Sequence, residues 1–324
     1  MGIRNGYLKY KRRYRSLLAD GYSINNYKRP CMHTKSILPS LFFAGIAALN
    51  NPAFATEAAV RTITAEAGSV HIEALDQGQG PLIVILPSKG RGAHDYDQVA
   101  RYLAKDGYRV IRPEPRGVNG SKAPMDTPTL HDFAADVALV MDHEKSGPAI
   151  IVGHAWGSQP ARVLAVDRPD LVKGIVLASA SIGKLPPGSS EKPYGRMVEA
   201  IKGAGDYSLP EAKRIGYLQE AFFAPGNDVR AWLPGWYDAT HKAQDHARDT
   251  TPVESYWSGG NVVPILDLQG ERDAVVLPNI LKPMLGDRVE HVVINGAGHA
   301  MAPERPREMA DAIAAFAHRV YSQK

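Results

Sequence analysis

The chain has 324 residues, 44% of them hydrophobic, which suits one large α/β domain carrying an insertion. The formal net charge is +4, and the excess of positive charge lies in residues 1–55. These residues hold nine of the 38 Lys and Arg residues but one of the 34 Asp and Glu residues. The remainder of the chain therefore carries a net charge of −4. A mildly acidic body argues against nucleic acid or an anionic membrane as a partner. We expect a small-molecule substrate instead.

The N-terminus has the pattern of an export signal. An apolar run over residues 36–50 follows Lys35 and precedes Ala53-Phe54-Ala55, an A-x-A site with cleavage expected before Thr56. The run is shorter than the ~20 apolar residues that span a bilayer. Residues 1–55 are therefore predicted to be a signal peptide or leader. We expect export to the periplasm or the extracellular space, without stable membrane insertion after cleavage; a retained N-terminal anchor is the alternative.

Two residues of this leader bear on the mature chain. Met32 starts a stretch with the features of an ordinary signal peptide, so it is a second candidate for the start of translation. Cys31 is the single cysteine of the sequence. Because cleavage removes it, the mature chain is expected to have no disulfide and to be stabilised by its core.

After the leader, short apolar runs alternate with helical patterns. Several runs are continuous and rich in β-branched residues, as in strands buried on both faces of a parallel sheet. The predicted strands are Val60–Glu66, Ser69–Leu75, Leu82–Leu86, Tyr108–Arg112, Ala149–Val152, Gly174–Ala178, Val263–Leu268 and Val289–Ile294. The predicted helices are Tyr96–Lys105, Leu130–Glu144, Gly157–Asp167 and Glu304–Tyr321. The first two strands can form a hairpin and the rest alternate as βαβ units, so we predict an α/β fold with a mostly parallel eight-stranded sheet flanked by helices.

This alternation stops after Ser181. Residues 183–260 contain no convincing strand but many large aromatic residues, and the strand pattern resumes at Val263. We predict that this segment is a helical cap over the site, inserted between two parts of the core, residues 56–182 and 261–324. Most of its aromatic side chains are expected to fill the core of the cap itself.

The most informative stretch leads from a buried strand into Gly-x-x-x-Gly and then into a helix. In a nucleophile elbow, the central residue lies on a strained turn that raises its side chain above the sheet, and the flanking glycines avoid crowding. Gly153 and Gly157 occupy the glycine positions, so Ala155 stands where Ser, Cys or Asp is expected. A methyl group cannot attack a carbonyl.

Two further segments follow strands at matching positions. Asp273 ends Gln-Gly-Glu-Arg-Asp after the predicted strand over residues 263–268, and His299 ends Asn-Gly-Ala-Gly-His after the last strand. The order of elbow, acid and histidine resembles the α/β-hydrolase superfamily over nearly all of residues 60–321. The resemblance implies that His299 is the general base and Asp273 its orienting carboxylate.

The resemblance also implies an oxyanion hole. In this superfamily, one backbone N–H comes from the residue after the nucleophile and one from the loop after the third strand. By position these donors are Trp156 and Lys89. The loop departs from the family's usual His-Gly, because residues 86–90 read Leu-Pro-Ser-Lys-Gly.

Ala155 leaves the nucleophile open. Ser88 on the oxyanion loop is one candidate, if it faces His299. Alternatively, His299 and Asp273 activate a water, or take a proton from the substrate in a cofactor-free lyase reaction. In a third interpretation the site binds a ligand without turnover. We expect hydrolysis of a small, partly apolar ester, lactone or amide, with a ligand-binding pseudoenzyme as the main alternative.

No cofactor or metal is expected. His241 and His246 lack the carboxylate and spacing of an H-E-x-x-H zinc motif. Basic residues cluster near the oxyanion loop and are expected to form a solvated face, with binding of a substrate carboxylate as the alternative. They are Lys89, Arg91, His94 and Arg116.

Overall fold

The computed structural model describes residues 58–180, 183–185, 187–188, 197–260 and 263–323. The predicted leader, residues 1–55, lies outside the described residues. Export therefore stays a prediction. In the described part of the chain, no helix is both long and apolar enough to cross a membrane.

Eight strands form one sheet, and each coincides with one of the predicted apolar runs. They are β1 (Val60–Ala67), β2 (Val70–Gly78), β3 (Leu82–Leu86), β4 (Arg109–Pro113), β5 (Ala149–His154), β6 (Val172–Ala178), β7 (Ile265–Gly270) and β8 (Val289–Ile294). Their spatial order is β1-β2-β4-β3-β5-β6-β7-β8. β3 to β8 run parallel, whereas β2 is antiparallel to β1 and to β4. The predicted mostly parallel, eight-stranded sheet is confirmed.

Helices cover both faces of this sheet. The described residues form the α-helices α1 (Asp97–Lys105), α2 (Leu130–His143), α3 (Ser158–Asp167), α4 (Val198–Gly203), α5 (Glu211–Ala221), α6 (Asp238–Thr250), α7 (Leu281–Leu285), α8 (Met301–Glu304) and α9 (Pro306–Ser322). Apolar residues of α1 and α9 pack on one face, and those of α2 and α3 pack on the other. This explains why every residue of β3, β5 and β7 is buried, so that the strands read as continuous apolar runs.

The segment between β6 and β7 is helical where it is described. This insertion (residues 183–260) contains α4, α5 and α6, and its described residues include no strand. Phe222, Phe223 and Trp232 are buried in an apolar cluster with Leu218 of α5. The role of the insertion as a cap stays a prediction.

The parallel strands bring three loops to one edge of the sheet. β5 ends at His154, β7 at Gly270 and β8 at Ile294. Because neighbouring parallel strands end at the same edge, the loops that carry Ala155, Asp273 and His299 meet there, which is where open α/β sheets bind ligands.

Candidate active site

The turn after β5 has the geometry of an elbow. Ala155 has a φ of +48°, a left-handed conformation that residues with a Cβ rarely adopt. A Cβ on Gly153 would lie 2.5 Å from the Gly157 carbonyl oxygen, and a Cβ on Gly157 would lie 2.5 Å from the Leu86 carbonyl oxygen. Both glycines are therefore required by backbone contacts. The strained position holds a methyl group, which has no lone pair with which to attack a substrate.

His299 and Asp273 form a buried pair. Nδ1 of His299 lies 3.0 Å from Oδ2 of Asp273, and the two side chains are 4% and 2% exposed. The backbone N–H groups of Val275 and Val276 donate to Oδ1 of the same carboxylate. Burial disfavours the charged carboxylate, but the His299 imidazole and the Val275 N–H outweigh it and hold the pKa of Asp273 below its ordinary value. Asp273 is therefore ionised and fixes the Nδ1–H tautomer of His299, which leaves Nε2 free to accept a proton.

His154, the residue before Ala155, connects the elbow to the histidine loop. Its Nε2 lies 2.8 Å from the backbone carbonyl oxygen of His299, and its Nδ1 lies 2.7 Å from the hydroxyl of Tyr96. Because a carbonyl can only accept, Nε2 carries the proton and Nδ1 accepts from Tyr96. Burial and the neighbouring His299 lower the pKa of His154 to about 3, so it is neutral at physiological pH. It positions backbone groups and does not act as a base.

The Tyr96 hydroxyl extends this network to the oxyanion loop by accepting the Ser88 N–H at 3.1 Å. Along this loop, the Gly90 N–H is bound by Oε1 of Gln244, and the Arg91 N–H is bound by the Ser88 carbonyl. Among the described hydrogen bonds, none uses the N–H of Lys89. Lys89 is therefore the residue of this loop whose N–H is available to a substrate oxygen.

Two other predicted site residues can be placed. Trp156 lies in the first helical turn, Ala155–Gly157, where N–H groups have no acceptor within the helix. Ser88 is 4% exposed, and no hydrogen bond joins its side chain to His299 within the part of the chain that the structure describes. The geometry brings His299, Asp273 and the elbow together but does not pair Ser88 with the base.

The prediction that the basic residues form a solvated face is wrong for two of them. Arg91 is 1% exposed, because its guanidinium pairs with Asp95 and lies against the rings of Trp232 and Trp236. Arg116 is also buried, since its guanidinium forms a bidentate pair with Asp136. Both charges are neutralised by partners, which leaves neither as an anchor for a substrate carboxylate.

Lys89 and His94 complete that group. His94 is exposed, as expected, and faces Asp97. The Lys89 side chain is only 18% exposed, and its ammonium lies 3.0 Å from Asp245 of α6. Burial lowers the pKa of Lys89, while Asp245 opposes this effect. The Lys89 side chain therefore connects the oxyanion loop to the insertion.

Two aromatic side chains of the insertion contact the histidines of the site. The ring of Phe222 lies 5.5 Å from the ring of His299, and the ring of Trp232 lies 5.9 Å from that of His154. Ala155 is 6% exposed, so the elbow is shielded from solvent. Burial of this kind strengthens the electrostatic interactions at the elbow.

Three polar residues of this region escaped sequence-based prediction. His154 stood inside the elbow motif, and its place beside Ala155 was a usable signal. Gln244 lies on a buried face of α6 together with Thr240 and Ala247, which follow one another at helical spacing. Gln244 is therefore a polar residue that faces the core. Tyr96 gave no local signal, because its partner His154 is 58 residues away. No group of three or more His, Cys, Asp or Glu suited to hold a metal occurs among the described residues.

Two curated proteins are similar to this chain in sequence. The chain is 25% identical over 221 residues to the AB hydrolase superfamily protein YfhM of Bacillus subtilis (strain 168), covering 58% of this chain and 77% of that protein. It is 22% identical over 314 residues to epoxide hydrolase A of Mycobacterium tuberculosis (strain ATCC 25618 / H37Rv), covering 78% and 95%.

Solved structures share the fold at low sequence identity. An esterase from Exiguobacterium antarcticum superposes with a TM-score of 0.65 at 19% identity, covering 79% of this chain and 98% of that one. A thermophilic esterase from Thermogutta terrifontis gives 0.63 at 19% identity, covering 82% and 100%. The family model of the alpha/beta hydrolase fold matches residues 81–306, well over half of the chain. The chain therefore belongs to the α/β-hydrolase fold family.

Proposed function

We propose that this protein is a hydrolase that cleaves a small, partly apolar ester, lactone or amide with water as the nucleophile. The observation that carries the proposal is the buried His299–Asp273 pair beside an elbow whose residue, Ala155, has no nucleophilic atom. A site without catalytic duty has no need for two titratable groups in this arrangement. The hydrolase names of similar proteins, among them epoxide hydrolase A, support the reaction class.

Each step has a residue of this chain to perform it. His299 Nε2 removes a proton from water as the water oxygen attacks the substrate carbonyl, and Asp273 stabilises the imidazolium that forms. The N–H groups of Lys89 and Trp156 donate to the oxyanion. When the tetrahedral adduct collapses, the leaving alkoxide or amine takes the proton from His299. The alanine leaves room for the water where a family nucleophile would stand.

A rate comparison on the full chain tests this proposal. The panel consists of short-chain p-nitrophenyl esters, lactones and anilides, with styrene oxide added because similar proteins are named epoxide hydrolases. The variants are His299→Ala, Asp273→Asn and Ser88→Ala, and His318→Ala serves as a matched control because His318 is exposed.

We expect His299→Ala to lower kcat/KM by about 10²-fold or more, which is the usual contribution of a general base. Ser88→Ala and His318→Ala should stay within about threefold of wild type, since neither side chain is assigned a step. Loss of activity in Ser88→Ala would move the nucleophile to that hydroxyl. A wild-type chain that turns over nothing in the panel, yet binds panel members, would favour the ligand-binding alternative.

A further inference from the structure

Gln244 of α6 contacts both sides of the candidate oxyanion hole and is fully buried. Its side-chain Oε1 accepts the Gly90 N–H at 2.7 Å, and its backbone carbonyl accepts the indole N–H of Trp156 at 3.1 Å. Gly90 is the chain neighbour of Lys89, and Trp156 follows Ala155. Gln244 therefore contacts Trp156 itself and the chain neighbour of Lys89, the two residues whose backbone N–H groups face a substrate oxygen in the proposed mechanism.

The side-chain nitrogen of Gln244 has no hydrogen-bond partner in the part of the chain that the structure describes. Within the described residues, Nε2 makes no hydrogen bond and is closed off from solvent. The orientation of the amide is settled by Gly90, because only Oε1 can accept from that N–H. Buried amide donors in native proteins are nearly always paired, so an unpaired one requires an explanation, such as a ligand that supplies the acceptor.

We propose that Gln244 Nε2 donates a hydrogen bond to the carbonyl oxygen of the substrate, as a third donor of the oxyanion hole. The inference rests on the proposed hydrolase function and adds a residue from the insertion to it. The oxygen gains negative charge as water attacks, so the bond strengthens in the transition state. Because α6 carries this donor, the hole is complete only when the insertion is seated on the loop from Ser88 to Arg91.

The proposal also restricts the substrate. The group bound beside Gln244 must accept hydrogen bonds from several N–H donors, which suits an ester, lactone or amide carbonyl. A thioether or an alkyl halide offers poor acceptors. Specificity of this kind is strong, because a substrate lacking the acceptor leaves buried donors unpaired.

The test combines two variants with a matched control. Gln244→Glu keeps an acceptor for Gly90 but replaces the donor, and Gln244→Met has a similar shape without either group. Gln219→Glu makes the same charge change at an exposed position of α5 in the same insertion. Circular dichroism and thermal melts confirm that each full-length variant is folded.

The probe is phenyl trifluoromethyl ketone, whose hydrate mimics the tetrahedral adduct of water and an ester. Its Kd is measured by isothermal titration calorimetry, alongside kcat and KM for p-nitrophenyl butyrate. We expect both Gln244 variants to raise the Kd about tenfold or more and to lower kcat about 10²-fold with little change in KM, as for loss of one oxyanion donor. In Gln244→Glu, affinity relative to wild type should recover at low pH, because a protonated carboxyl donates; a merely structural role would not produce this recovery.

The outcomes separate this inference from the hydrolase proposal. If wild type binds the ketone more tightly than the folded Gln244 variants but hydrolyses no ester, the donor role stands and the hydrolase function fails. If wild type hydrolyses esters and both variants match it in Kd and kcat, the donor role is overturned and the function stands. A wild type that neither binds the ketone nor hydrolyses the ester overturns both.

Discussion

The elbow glycine Gly157 offers a quantitative test of the structure. A Cβ at this position would lie 2.5 Å from the Leu86 carbonyl oxygen and 2.7 Å from the Pro87 carbonyl oxygen. Both are backbone atoms, so no side-chain rotation relieves the contact, and the start of the oxyanion loop must shift. The φ of Gly157 is −56°, which alanine adopts without strain. The expected penalty of Gly157→Ala therefore comes from the contact alone.

Overpacking of this kind costs about 1–3 kcal/mol of unfolding free energy. The matched control is Gly216→Ala in the middle of α5, where a Cβ meets nothing within 4 Å. There the higher helix propensity of alanine should raise the free energy of unfolding by about 0.5–1 kcal/mol. The two substitutions add the same methyl group and should have opposite signs.

Urea unfolding followed by tryptophan fluorescence measures both changes in the full chain. A second measurement is the rate of ester hydrolysis, which should fall in Gly157→Ala because the shifted loop carries Lys89. A Gly157→Ala protein as stable as wild type, or stabilised as Gly216→Ala is, would contradict the expected backbone contact. Either result would mean that β5, the elbow and the loop after β3 do not approach as the structure shows.

Three further predictions concern the buried network and the elbow. The pKa of His154 falls to about 3 in the folded protein but is near 6.5 in the unfolded chain, so protonation increasingly favours unfolding as the pH falls through 6.5. Between pH 6.5 and pH 5, wild type should therefore lose about 1.6 kcal/mol more unfolding free energy than His154→Asn in urea titrations. Equal losses in the two proteins would contradict this. Tyr96→Phe leaves two buried groups unpaired, the N–H of Ser88 and Nδ1 of His154. It should therefore lower the unfolding free energy by about 2–4 kcal/mol. The control Tyr102→Phe, at a part-buried position, should change the unfolding free energy by less than about 0.5 kcal/mol. Ala155→Ser supplies the missing hydroxyl and should give burst kinetics with p-nitrophenyl esters; a linear time course would argue against a competent oxyanion hole.

The sheet could be predicted because each strand is marked by the local pattern of apolar residues in the sequence. Strands such as β3 and β5 are buried on both faces, so each is a continuous apolar run in the sequence. The elbow was predictable for a similar reason, since Gly153 and Gly157 lie four positions apart and each is required by a backbone contact. The order of the elbow, Asp273 and His299 then located the rest of the site.

Local sequence patterns could not predict contacts between segments that are distant in the sequence. Arg91 is buried because Trp232 and Trp236 of the insertion pack against it, and nothing near Arg91 in the sequence indicates this. Tyr96 and His154 meet only because the loop after β3 and the end of β5 lie side by side at the sheet edge. The position of the unpaired Gln244 nitrogen depends in turn on how α6 packs against the loop after β3 and the end of β5.

Under the proposed function, His299 activates water without a covalent enzyme intermediate. The most direct measurement is intact-mass spectrometry of the wild-type chain, acid-quenched within the first turnovers of p-nitrophenyl acetate. We expect the unmodified mass at every time point, because Ala155 has no atom to acylate and Ser88 is not bonded to the base. An acetylated chain that accumulates and decays with turnover, with the label mapped to Ser88, would contradict the claim.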